Sequence, residues 1–275
     1  MLLINPARDS YRLLTLAQLA ASGAWQLDLV HDRPVSLLIW ITRGQGLALL
    51  DGARRGVGAH NALFVPAGNL MALDLGRQGF GQALILPDPP DQTLPTTVLH
   101  LRIRDVMAQN ELTTIFEALG REQNGGRAYS QSAMAAHAAL AAIWLRRHAP
   151  ENDPRGQAQT AARRLMRGYF ARLASHYTDG GSMADHAEAL GVTPTHLTRV
   201  CKAETGRTAA ALLSERVLHR ARSDLTETDL PIQQVASQLG FGSAAYFTRF
   251  IQQHTGRTPT ALRKAAKDVR SRINP

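Results

Sequence analysis

Thr198-Arg199 and Thr248-Arg249 are the same dipeptide, and each sits inside one short pattern that is written twice. The first copy runs Ala187, Leu190, Gly191, Val192, then Leu197, Thr198, Arg199, Val200, then Thr205-Gly206-Arg207-Thr208. The second runs Ala236, Leu239, Gly240, Phe241, then Phe247, Thr248, Arg249, Phe250, then Thr255-Gly256-Arg257-Thr258. The offset is 49 as far as the apolar residue after the glycine and 50 from there on, so the second copy carries one extra residue in its central turn. A hydroxyl and a guanidinium repeated in register offer hydrogen bonds and positive charge.

The surrounding residues define the elements that would carry these groups. Small and apolar positions at i, i+3 and i+4 give a first helix one buried face, and a glycine ends it because glycine enters the left-handed region cheaply. An apolar plug follows. A second helix then starts at Thr193-Pro194 or Gly242-Ser243, where Thr193 and Ser243 suit the N-cap and Pro194 the first helical turn. Helix, glycine turn and helix is the arrangement that lays its second helix in a DNA major groove.

The 275 residues are too many for this module alone and imply two domains. Hydrophobic residues make up 44% and charged residues 19%, ordinary for a globular chain. The net charge of +9 is uneven: residues 151–275 hold 18 Lys+Arg against 11 Asp+Glu, and residues 1–150 hold 13 against 11. The basic excess therefore lies with the repeated motif, as binding to a polyanion requires. The single cysteine, Cys201, excludes an internal disulfide and is read as a small core residue. No signal peptide is visible, and the longest apolar tract, 133–145, falls short of the ~20 residues that span a bilayer. No membrane partner is expected, and the expected location is the cytoplasm, on the bacterial nucleoid when bound.

Along the chain, residues 1–100 read as short strands: 35–42, the turn 43–46, 47–50, the turn Asp51-Gly52, then 62–65, 70–75 and 83–86. Such spacing predicts a small antiparallel β-barrel or sandwich closed by the run 87–91. Residues 101–149 predict two helices, one ending near Gly120 and one capped by Ser130 or Ser132. The second is alanine-rich and suits either packing on its own barrel or a homodimer interface. Residues 150–159 read as a polar, Pro-broken linker. The second domain, 160–270, opens with a helix through Leu165 and Leu173, then Ser182 with Asp185 as a capping box. The two motifs fall at 183–204 and 231–254. Between them one long helix runs from Thr208 to Thr226, and a last helix runs from Pro259 to about Lys267. The fold class is α+β: a front β unit with helices, then an all-α domain.

Residues from about 182 to 264 resemble the DNA-binding domain of the AraC/XylS family of bacterial transcription regulators. The resemblance is carried by Ala187-x-x-Leu190-Gly191, Leu197-x-Arg199, Lys202, Glu204-Thr205-Gly206, Arg220-Ala221, Asp229-Leu230-Pro231-Ile232, Val235-Ala236, Leu239-Gly240-Phe241, Tyr246-Phe247-x-Arg249-Phe250, Gly256-x-x-Pro259 and Arg263. Residues 36–75 resemble the cupin-like effector domain of the family through Gly44-x-Gly46, Asp51-Gly52 and the stretch 61–68. The resemblance implies DNA contacts from Thr195, His196, Thr198, Arg199 and Lys202 in the first motif. In the second it implies them from Ser243, Ala244, Ala245, Tyr246 and Arg249. Arginine can grip guanine or phosphate in a bidentate way. Ala244 and Ala245 offer only apolar contact, so the second motif is expected to lean on phosphates.

The resemblance further implies double-stranded promoter DNA and RNA polymerase as partners, a small-molecule effector, homodimerisation and, more often in this family, activation. Trp40, Arg43 and Phe64, with Trp25, are candidates to line an effector pocket, although core packing is the stronger reading for them. An enzyme in the front domain is not expected. His31 and His60 stand alone, Met71 falls near the family's common histidine position, and no cofactor or metal set is found. An architectural DNA binder without effector, or a cupin enzyme tethered to DNA, are the rival readings.

Overall fold

The structure is a computed structural model that describes residues 10–87, 94–149 and 160–273, with backbone only from 269. The expected linker 150–159 and most of the run 87–91 lie outside those residues. In order, the elements are β1 (Arg12–Thr15), α1 (Leu16–Leu19), α2 (Trp25–Asp28), β2 (Ser36–Arg43), β3 (Gln45–Leu50), β4 (Ala53–Gly58), β5 (Asn61–Val65), β6 (Met71–Asp74), β7 (Phe80–Leu86) and β8 (Leu99–Arg102). Nine helices follow among the described residues: α3 (Val106–Asn124), α4 (Ser130–His148), α5 (Ala161–His176), α6 (Met183–Glu188), α7 (Pro194–Thr205), α8 (Ala209–Glu227), α9 (Ile232–Gln238), α10 (Ala244–Thr255) and α11 (Pro259–Ile273). The chain divides into two units, Met1–Ala21 with Asp32–Thr160, and Ser22–His31 with Ala161–Pro275. The ten residues Ser22–His31 go with the C-terminal helices, which nothing in their own sequence announces.

The front unit holds two antiparallel sheets, in the orders β1-β7-β2-β5-β8 and β4-β3-β6. Strands β2 and β5 are central, and their apolar runs are buried on both faces. Leu38, Trp40, Ala62 and Phe64 point toward α3 and α4 and share one core with Leu112, Phe116, Met134, Ala138 and Trp144. Trp144 Nε1 donates to the Ala108 carbonyl (3.1 Å), and its ring meets Trp40 edge-on at 6.5 Å. The alanines of α4 thus let it lie close on α3 and on its own sheet. Leu140 and Ile143 remain exposed.

Three expectations for this unit change. Gly46 does not belong to a turn: it lies inside β3, where a Cβ would come within 1.9 Å of the Asp74 carbonyl, so its missing side chain lets β6 approach. Gly120 does not end α3, which runs on to Asn124, because a lone glycine inside a packed helix costs only ~1 kcal/mol. Neither Ser130 nor Ser132 caps α4; Tyr129 precedes it in a left-handed conformation and gives no side-chain cap. The expected Asp51-Gly52 hairpin turn is present, both residues having positive φ, and it joins β3 to β4.

In the C-terminal unit, α5 buries Met166, Tyr169, Phe170 and Leu173. The Tyr169 hydroxyl donates to the Ala209 carbonyl at 2.7 Å and so ties α5 to the first residue of α8. Burial holds this phenol far above its ordinary range, so it remains a donor at any accessible pH. The long middle helix appears as Ala209–Glu227 with Thr208 as its cap, and the last helix extends to Ile273, beyond the expected end. Tyr169→Phe should lower unfolding stability of this unit by about 1 kcal/mol, the worth of one buried hydrogen bond. Denaturant titration should show that as a shifted midpoint at unchanged slope.

Candidate nucleic-acid interface

The two helix-turn-helix motifs are α6–α7 and α9–α10, and they repeat down to single hydrogen bonds. In the first, Val192 N–H donates to the Ala187 carbonyl at 3.0 Å; in the second, Phe241 N–H donates to the Ala236 carbonyl at 3.0 Å. The glycine before each plug, Gly191 or Gly240, has φ +66° or +75°. At Gly240 a Cβ would also fall 2.3 Å from the Thr178 carbonyl. The second helices are capped alike: Thr193 Oγ1 accepts from His196 N–H (3.2 Å), and Ser243 Oγ accepts from Tyr246 N–H (3.2 Å). Ahead of them, Ser182 and Asp185 form the predicted capping box, whose hydrogen bonds hold the Asp185 carboxyl below its ordinary value.

Packing decides which faces of α7 and α10 are left outside. Helix α7 buries Leu197, Val200 and Cys201; α10 buries Phe247 and Ile251, and the Phe241 ring lies 5.2 Å from both Phe247 and Phe250. The exposed stripe of α7 is therefore Thr195, Arg199 and Lys202, at i, i+4 and i+7, flanked by the half-exposed His196 and Thr198. Arg199 Nη2 donates to His196 Nδ1 at 3.0 Å. Helix α10 repeats the stripe as Ala245, Arg249 and Gln252, flanked by Tyr246, which is 63% exposed. Ala244 is half-buried, and Ser243 is exposed with its oxygen engaged as the cap.

Gln252 was not among the sequence candidates. It occupies the position that Lys202 holds in the first motif, 50 residues earlier, so the repeat offset alone identifies it. Gln253 is exposed beside it. The second helix thus presents an amide in addition to the candidates Ala245, Tyr246 and Arg249.

Several other basic residues of the unit are committed internally. Arg163 pairs with Glu204 (3.3 Å), Arg207 with Glu215, and Arg220 with Asp224 (2.9 Å). Arg216 lies over the Tyr177 ring at 3.8 Å, and Arg263 donates to the carbonyls of Leu225 and Leu230. Arg263 thus ties α11 to the end of α8, whereas Arg220 pairs within α8 itself.

The effector candidates do not converge. Trp40 is buried and donates from Nε1 to Thr113 Oγ1 (3.2 Å), and Phe64 lies in the same packed core. Arg43 is exposed at the end of β2, 6.0 Å over the Phe80 ring. Trp25 belongs to the C-terminal unit. A small apolar crevice of the front unit is lined instead by Tyr11, Leu86, Leu94, Ala138 and Ala142. Among the described residues no group of three or more His, Cys, Asp or Glu could hold a metal ion, and no helix is long and apolar enough to cross a membrane.

A family model described as a helix-turn-helix domain matches residues 186–265. The transcriptional regulator ExsA of Pseudomonas aeruginosa is 26% identical over 102 residues, covering 37% of this chain and 37% of ExsA. A probable transcription factor of Proteus vulgaris, PqrA, is 35% identical over 78 residues, covering 28% of this chain and 64% of PqrA. The chain thus spans less than two thirds of either relative. Among solved structures, ToxT from Vibrio cholerae O395 aligns over 94% of this chain and 97% of its own at 13% identity, with a TM-score of 0.41. That superposition is too loose to bear on function.

Cys201 is fully buried in the first motif, and burial pushes its thiol up to about 12. A thiol reagent at pH 8 should leave the folded protein unlabelled and label it once denatured, as followed by mass spectrometry.

Proposed function

We propose that this chain, whose residues 186–265 form a helix-turn-helix domain of the AraC type, is a sequence-specific regulator of transcription that reads promoter DNA with α7 and α10. The observation that carries this reading is the doubled stripe, Thr195, Arg199, Lys202 and Ala245, Arg249, Gln252, on two motifs of one pattern joined by one helix. Nineteen residues at about 1.5 Å each span roughly 28 Å. That length suits two reading helices set about one DNA turn, ~34 Å, apart.

In this reading Arg199 grips guanine or a phosphate, held by its hydrogen bond to His196. Lys202 neutralises phosphate. On α10, Ala245 packs on a thymine methyl, Gln252 pairs with adenine through its amide, and Arg249 completes the phosphate contacts. The front unit is the control module. A small molecule would act by favouring one arrangement of the protein over another, because a ligand shifts an equilibrium only through differential affinity. Trp40 and Phe64 are spent on the core, and the crevice beside Tyr11 and Leu94 has room for little more than a water molecule, so neither is assigned to the effector. RNA polymerase and a second copy of the chain are the further partners of this proposal, and activation is its expected sense.

Arg199→Ala tests the reading. It should weaken binding to the preferred duplex by about tenfold or more, the equivalent of ~1–3 kcal/mol for a base contact, and weaken binding to unrelated duplex far less. Fluorescence anisotropy at two salt concentrations measures both. Equal loss on the two duplexes would mean that Arg199 holds phosphate only, and salt dependence accounting for nearly all affinity in the unaltered protein would favour an architectural binder.

A further inference from the structure

Residues 22–31 lie on one stripe of α8. Glu215, His219 and Arg222 stand at i, i+4 and i+7 of that helix, and each meets this segment. The Trp25 ring is 5.3 Å from His219, and the Arg222 guanidinium lies 4.4 Å over the same indole. His31 stacks on His219 at 4.4 Å with only 8° between the rings. His219 Nε2 is 3.4 Å from the Gln26 carbonyl, and the Val30 backbone N–H donates to the Glu215 carboxylate. Leu29 packs on the cluster of Leu218, Ala221 and Leu225, which is the core of the second motif.

These contacts are buried ones: Trp25, Leu27, Val30 and His31 are all within the core, His31 with no exposed surface. The Trp25 indole meets both an imidazole and a guanidinium of α8, and the cation–π pair adds to what the burial of its area contributes. The stripe it covers is distinct from the apolar stripe of α8. Leu218, Ala221 and Leu225 face the second motif, whereas Glu215, His219 and Arg222 would otherwise be a solvated face of a helix. Helix α8 is thus packed on a second side by chain that precedes it by almost two hundred residues.

We infer that residues 22–31 are a clasp that completes the DNA-binding unit and fixes the helix on which the spacing of α7 and α10 depends, with Trp25 and His31 as its positioning residues. The inference rests on the proposed reading of α7 and α10 for its functional half only. The DNA-binding unit is then discontinuous in sequence, and the C-terminal helices alone are not the whole of it. Both ends of the clasp continue along the chain into elements of the front unit, α1 and β2. Withdrawal of the clasp therefore becomes a means by which a change in the front unit reaches the reading helices.

The test uses the full chain and two readouts. Hydrogen exchange, without DNA, compares the unaltered protein with Trp25→Ala and His31→Ala. Amides of α8 should exchange at least about tenfold faster in Trp25→Ala, while β2, β5 and β7 keep their protection. Unchanged protection of α8 in both variants overturns the clasp. Should Trp25→Ala lose protection in every element, His31→Ala decides by the same criterion. The second readout is affinity for a duplex carrying the two recognised blocks and for versions with two base pairs inserted between them. The unaltered protein should lose at least about tenfold on insertion, and the clasp variants less than about threefold. Equal spacing discrimination in all three proteins also overturns the clasp. Indifference of the unaltered protein to the insertion would instead count against the twin-reading proposal, leaving hydrogen exchange to judge the clasp.

Discussion

The C-terminal unit depends on the rigidity of α8. A helix closed by its own backbone hydrogen bonds cannot change length, so whatever is fixed to its two ends is held at a set distance. Its start is fixed by the Thr208 cap and by the Tyr169 hydroxyl on the Ala209 carbonyl. Its end is fixed by Arg263, which donates to the Leu225 and Leu230 carbonyls, and by Thr228 Oγ1, which donates to the Asp224 carbonyl. The first motif hangs on one end and the second packs on Leu218, Ala221 and Leu225 toward the other. Two turns of the same pattern, the second one residue longer, then aim two helices whose stripes fall at matching positions.

Electrostatics in this unit is a matter of allocation. The basic excess suggests a broadly positive surface, but several arginines are held by carboxylates, carbonyls or rings inside the domain. Arg222, beneath Trp25, is desolvated enough to bring its guanidinium down to about 10, with Arg257 adding to the effect. Half-exposed ion pairs such as Arg163 with Glu204 contribute modestly to stability. Their main consequence is to leave Arg199, Lys202 and Arg249 as the exposed cations of the two stripes. A few directed charges on a shaped face discriminate between sequences better than a diffuse positive field, which would bind any duplex.

What was legible in the sequence was whatever repeats or follows local chemistry. The doubled motif, its glycine turns, the Thr193 and Ser243 caps and the Ser182–Asp185 box are all encoded within a few residues, and each stands where its pattern places it. The Asp51-Gly52 hairpin is of the same kind. Long-range packing was not legible. Gly46 looks like a turn residue and is a point of close strand approach, a role fixed by β6 more than twenty residues later. For Trp40 and Phe64 core packing is the stronger sequence reading, but the helices α3 and α4 that cover them are not readable from their own stretch. Trp25 looks like pocket or core lining and His31 like an isolated histidine, because their partners His219 and Arg222 lie at the other end of the chain. Gln252 could have been found by applying the 50-residue offset to Lys202.

The central claim is that two matched helices read two adjacent pieces of sequence. It is tested most directly by selecting bound duplexes from a random pool at near-physiological salt. The account predicts enrichment of two short blocks about ten base pairs apart, one for each reading helix. Tight, salt-sensitive binding with no enriched sequence would contradict it, and would leave α7 and α10 as holders of phosphate alone.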